Sequence, residues 1–156
     1  MTEELAELVA RHPLFAGLPT DVASLVAGCA HNAAFGTGEL LLAEGEPAEA
    51  LYLLRRGRVA LEIRKPGSGQ LVVETLRPGE LVGLSWLFPP HRWRTDARAM
   101  EPVGVVSVDA ACLLAKAEAD PAFGFALMKR LLPVLLSRLQ ATRVRLLDLY
   151  GDGAHR

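Results

Sequence analysis

The apolar positions of this chain fall into three successive textures. Near the start, Leu5, Leu8 and Val9 recur at helical spacing, which predicts a helix over Glu3–Arg11 ended by His12-Pro13. A second helix is predicted over Asp21–Cys29, opened by Pro19 with Thr20 as N-cap. From Ala33 to Val108 short apolar or β-branched runs alternate with Gly and Pro breaks. Strands are predicted at Leu40–Ala43, Ala50–Arg55, Arg58–Arg64, Leu71–Leu76, Thr95–Met100 and Val103–Val108, with Lys65–Gln70 as a hairpin loop. Evenly spaced short strands of this kind indicate a small β-sandwich or barrel. Beyond Val108 the pattern is helical again. Asp109 caps a short helix through Ala119, and Asp120-Pro121 opens a last helix expected to reach Tyr150 and stop at Gly151. The organisation is thus N-terminal helices in 1–32, a β-region in 33–108 and C-terminal helices in 109–150.

The last helix is long for a chain of this size: thirty residues at about 1.5 Å each give roughly 45 Å. Phe125, Met128, Leu132, Leu135, Leu139, Thr142, Leu146 and Leu149 are spaced 3-4-3-4-3-4-3, an a/d heptad seam. A second stripe, Leu127, Leu131, Val134 and Leu147, is expected to face the β-region. Two apolar stripes suit a helix with two partners, so Leu132, Leu135, Leu139, Thr142, Leu146 and Leu149 are assigned to a homodimer interface. The alternative is one helix buried in its own domain. Thr142, the polar residue of the seam, either sets register or meets a ligand at the dimer axis. Pro133 removes a helical hydrogen bond and is expected to kink the helix between Lys129 and Pro133.

Composition narrows the classes. The chain has 156 residues, 51% of them hydrophobic, enough for a single domain with a core. A net charge of −1 argues against a generic polyanion binder. Cys29 and Cys112 lie far apart in apolar surroundings and read as two buried thiols in a reducing cytosol. A cytoplasmic location is expected, with no signal peptide and no membrane span. His12, His31, His91 and His155 fall one per region without ligand spacing, so no metal site is expected. No nucleophile elbow or P-loop is present, and no enzymatic activity is expected.

The chemistry concentrates between Pro78 and Ala99. Gly79 and Gly83 permit close backbone approach or positive φ, and Arg94 with Thr95 supplies guanidinium and hydroxyl donors suited to a phosphate. Trp86, Phe88 and Trp93 crowd the same turn, either to stack on a base or to fill the pocket. His91, Arg92 and Arg94 form either a basic cluster or a solvated loop.

The order of helix, β-region, anion turn and long helix resembles the cyclic nucleotide-binding domain of the catabolite activator protein family, over about Leu14–Tyr150. The residues that carry the resemblance are Gly45-Glu46, Leu51-Tyr52-Leu53-Leu54, Gly57-Arg58-Val59, Pro78-Gly79-Glu80, Val82-Gly83 and Arg138-Leu139-Gln140-Ala141-Thr142. The resemblance implies a β-roll (a double-stranded β-helix), mainly β with flanking helices, plus a long C-terminal dimerisation helix. It also implies a ligand site at Gly83, Leu84, Ser85, Arg94, Thr95, Thr142 and Arg143, for a cyclic nucleotide or other phosphate-bearing ligand. The family's acid for the ribose hydroxyl is replaced here by Leu84, followed by Ser85. Its phosphate-binding Arg falls on Arg94 when counted from Gly83 and on Trp93 when counted back from Ala99. Thr142 matches the family's base-contacting Thr, and Arg143 stands where some members have a small hydroxyl residue. The expected function is a non-enzymatic, dimeric sensor that signals to a protein partner. The alternative is a vestigial pocket in a dimeric scaffold or accessory subunit. Only GDGAHR follows Tyr150, so no direct DNA binding is expected.

Overall fold

The computed structural model describes residues 2–154, with side-chain surroundings for 4–150; His155 lies outside the described residues. In chain order the elements are α1 (Thr2–Arg11), α2 (Thr20–Ala27), β1 (Ala30–Phe35), β2 (Leu40–Leu42), β3 (Ala50–Arg56), β4 (Val59–Lys65), β5 (Gly69–Leu76), β6 (Leu81–Val82), β7 (Asp96–Ala99), β8 (Val103–Asp109), α3 (Ala110–Ala119) and α4 (Pro121–Ala154). The strands build two antiparallel four-stranded sheets, ordered β1-β8-β3-β6 and β2-β7-β4-β5. They form a β-roll with flanking helices and a long C-terminal helix.

Burial follows from what covers each sheet. β8 is buried from Val103 through Val108. One face of its sheet looks into the roll, and the other is covered by α1, α2 and α3. A strand covered on both sides reads as a continuous apolar run. The β4–β5 hairpin is open to solvent near its tip, where Ile63, Leu71 and Val72 are exposed. Its tight turn lies between Lys65 and Gly69, as the Pro66-Gly67-Ser68-Gly69 stretch implies.

Helix ends follow local chemistry with two departures. Asp109 Oδ2 accepts from Cys112 N at 3.0 Å, and Asp120 Oδ1 accepts from Phe123 N at 3.3 Å. Thr20 is not an N-cap. Pro19 holds that position without a side-chain cap, and Thr20 is the first helical residue. Nor does Gly151 stop α4, which runs to Ala154 over 34 residues. Glycine weakens a helix by about 1 kcal/mol but does not forbid it.

The cysteines are not separate thiols: Cys29 and Cys112 form a disulfide with Cα atoms 5.6 Å apart. The sheet register is the reason. Ala30 pairs with Val108, and Asp109 N donates to Cys29 O at 2.8 Å. The first turn of α3 then carries Cys112 back over Cys29. A closed loop this long stabilises a fold by about 2–5 kcal/mol, and such bonds persist where the surroundings do not keep thiols reduced.

His12 ends α1 and is buried. Its Nδ1 accepts from Leu14 N at 3.2 Å, while its buried Nε2 has no hydrogen-bond partner. Burial lowers its pKa, against smaller raising effects of the Leu54 and Glu80 backbone. The unfolded chain therefore binds this proton more readily than the fold. The stability due to neutral His12 is complete above its ordinary pKa of about 6.5 and is lost as pH falls below it. We expect the urea midpoint to drop between pH 7.5 and 5.5, and to drop less in His12→Asn. An equal drop in both proteins would exclude His12 as the titrating group.

Candidate functional site

The turn from β6 to β7 is built from the inside outward. Gly83 has φ +93°, a left-handed conformation that favours glycine. Ser85–Leu87 form one 3₁₀ turn, and the buried Trp86 indole donates to Gly83 O at 3.0 Å. Pro89-Pro90 is a cis peptide, and His91 follows at φ +56° with its Nδ1 2.9 Å from Trp86 O. The returning limb is clamped to the β2–β3 loop. Gly45 N donates to Trp93 O at 2.9 Å, Trp93 N to Glu46 O at 3.0 Å, and Ala48 N to His91 O at 2.7 Å. The Arg92 guanidinium adds a bond to Gly45 O at 2.8 Å.

This clamp fixes which side chain turns inward. Trp93 is 7% exposed, and its ring lies directly against Gly83. A Cβ on Gly83 would stand 2.6 Å from Trp93 Cζ3. The close approach that the glycine permits here is therefore made by an indole. Of the two alternatives for Trp93, the ring fills the space. Arg94, the next residue, is exposed.

The expected ligand residues separate into two groups. Leu84, Ser85 and Arg94 share a cleft of about 220 Å³ with Phe88, Arg92 and Leu135 of α4. Gly83 adjoins it in sequence, and Thr95 is half-buried. Thr142 is elsewhere. It lines a larger groove of about 730 Å³ beside Ile63, Val72 and Leu146, and its hydroxyl donates to Arg138 O at 2.9 Å. Arg143 is exposed on α4. Asp96 is no partner to Arg94: it is fully buried, accepting from Glu44 N at 2.7 Å and Gln70 Nε2 at 2.9 Å, with Arg64 Nε at 3.7 Å. Among the described residues no cluster of His, Cys, Asp and Glu could hold a metal ion.

On α4, Leu127 and Leu131 are buried and Val134 packs against the core. Leu147 does not continue that stripe; it is 70% exposed, because at this level of α4 Thr142 and Leu146 already stand at the open hairpin rather than over the roll. The buried stripe continues instead through Arg138, whose Nη2 donates to Leu81 O. Burial lowers the Arg138 pKa, against the raising effect of the nearby Glu74 and Glu80 charges. In the sequence Arg138 stands only within the Arg138–Thr142 motif. The overlooked signal was its spacing, four residues beyond Val134 on the packed face. The seam residues Leu132, Leu135, Leu139, Leu146 and Leu149 are exposed in the single chain.

Comparison with known proteins agrees with this architecture. The model of the cyclic nucleotide-binding domain family matches residues 33–120. A protein of the cyclic nucleotide-binding type from Geobacter metallireducens is 30% identical, with TM-score 0.76, covering 86% of this chain and 97% of that one. The Thermus thermophilus catabolite activator protein is 26% identical, with TM-score 0.70, covering 89% of this chain and 63% of its own. A Mycobacterium tuberculosis protein named a CRP-like cAMP-activated global transcriptional regulator is 27% identical over 143 residues. The match covers 92% of this chain and 62% of that regulator's length. Among the described residues no helix is long and apolar enough to cross a membrane.

Proposed function

Since the chain belongs to the cyclic nucleotide-binding domain family, we propose that it is a non-enzymatic regulatory module whose roll interior is closed to a cyclic nucleotide. It acts as a homodimer joined through α4 and passes its state to a partner protein. The observation that carries this reading is Trp93, buried against Gly83 at the position where one count places the family's phosphate-binding Arg. Leu84 adds to it. A ribose hydroxyl facing a leucine loses its acceptor, at about 1–3 kcal/mol.

A second reading is favoured by the cleft at Leu84, Ser85, Arg92 and Arg94. There the module senses a small anion outside the roll, held by the Arg94 guanidinium and the Ser85 hydroxyl. The cleft is smaller than the roughly 300–1,000 Å³ usual for organic ligands, which fits inorganic phosphate better than a nucleotide.

Calorimetry separates the two. Cyclic AMP and cyclic GMP are expected to show no binding at micromolar concentration to the parent chain. Leu84→Glu with Trp93→Arg, which supplies the acid and the cation, is expected to gain measurable affinity for cyclic AMP. Submicromolar binding by the parent chain would refute the closed roll. Phosphate binding that Arg94→Ala weakens by roughly 1.5–3 kcal/mol would make the anion sensor the better reading.

A further inference from the structure

A cavity of about 430 Å³ opens between the corner after α1, the β5–β6 turn and α4. Gly83, Leu84, Ser85 and Arg94 do not line it, and its size suits a small organic molecule. It carries four charged groups: the Glu74 and Glu80 carboxylates from the roll, and the Arg130 and Arg138 guanidiniums from α4. Two of these are engaged within the fold. Arg138 donates to Leu81 O, and Glu80 accepts from Arg77 N at 2.6 Å. Among the described residues Glu74 and Arg130 take part in no ion pair.

Pro133 also lines the cavity. The remaining surface is mostly apolar, chiefly Leu14, Leu81 and Val134, with Ser137 beside them. A carboxylate outside any ion pair calls for an ammonium. One free guanidinium calls for an acid. An apolar surface between them calls for a hydrocarbon group.

We propose that this cavity binds a small zwitterion, an amino acid or dipeptide with an apolar side chain. Its ammonium meets Glu74, its carboxylate meets Arg130, and its side chain covers Leu14 and Val134. Bound there, it bridges α4 to the roll. The proposal does not depend on the fate of the Arg94 cleft.

The test is thermal unfolding of the full chain with L-leucine, L-phenylalanine and leucylleucine. Each is compared with its methyl ester, which lacks the acid, and its N-acetyl form, which lacks the amine. A zwitterion well above its Kd is expected to raise Tm by about 5–10 °C, and both blocked forms are expected to leave it unchanged. Glu74→Gln and Arg130→Gln should each weaken binding at least about tenfold, while Arg94→Ala should bind normally. The proposal is overturned if no zwitterion shifts Tm, if the blocked forms act equally, or if both cavity variants bind as the parent does. Loss of the shift in Arg94→Ala would also overturn it, by moving the ligand to the other cleft.

Discussion

A chain carrying Leu139→Glu and Leu146→Glu should sediment as a monomer where the parent chain sediments as a dimer. In the single chain these two leucines are 47% and 48% exposed, and Leu132 and Leu149 still more so. Covering half of a leucine side chain is worth about 1 kcal/mol. Two leucines from each of two helices therefore contribute about 4 kcal/mol to association, close to a thousandfold in Kd. Glutamate removes that contribution and places like charges across the seam. Thr142 is no obstacle to pairing, because its hydroxyl is already bonded to Arg138 O. The variant's circular dichroism should match the parent's, since neither leucine reaches the core. A parent chain that sediments as a monomer at micromolar concentration would remove the dimer from the proposed function.

Gly83→Ala is expected to destabilise the fold by about 2–5 kcal/mol. Two costs add. A non-glycine residue at φ +93° is strained by about 1–2 kcal/mol. A Cβ pressed to 2.6 Å and 2.7 Å from two Trp93 ring atoms overpacks the core by about 1–3 kcal/mol. At this chain length Tm should fall by roughly 5–15 °C. Gly45→Ala is the control: its φ is +88°, and a Cβ there meets nothing within 4 Å, so it carries the strain alone. The double variant Gly83→Ala/Trp93→Ala should cost less than the sum of its parts, because the clash is gone. If urea denaturation shows Gly83→Ala no worse than Gly45→Ala, the indole does not sit where the structure puts it.

The strands of the β-region were readable where glycine and proline punctuate them. Gly57 and Pro66-Gly67 bracket β4 at both ends, and the β4–β5 hairpin follows directly. β1 was missed, because Ala30–Phe35 (AHNAAF) has little β-propensity and is held by pairing with β8. The disulfide was unreadable for the same reason: it depends on the register of two strands far apart in sequence. The turn was ambiguous between Trp93 and Arg94 because counting along the chain cannot show a missing residue. In space, Trp93 is hydrogen-bonded to Gly45 and Glu46 with its indole buried, and Arg94 is exposed. Arg138 was hidden by its charge, since an arginine on a long helix reads as solvated until the packed stripe beneath it is known.

Cys29 precedes all eight described strands and Cys112 follows them, at a sequence separation of 83. The β-roll is therefore a covalent ring, clasped at its base. A single cut at the exposed hairpin tip, Pro66-Gly67-Ser68, would release no fragment; the halves would part only after reduction. The clasp also holds the start of α3 to the end of α2, at the place where the chain leaves the ring toward α4. Whatever moves the long helix pivots beyond that clasp rather than by opening the ring itself.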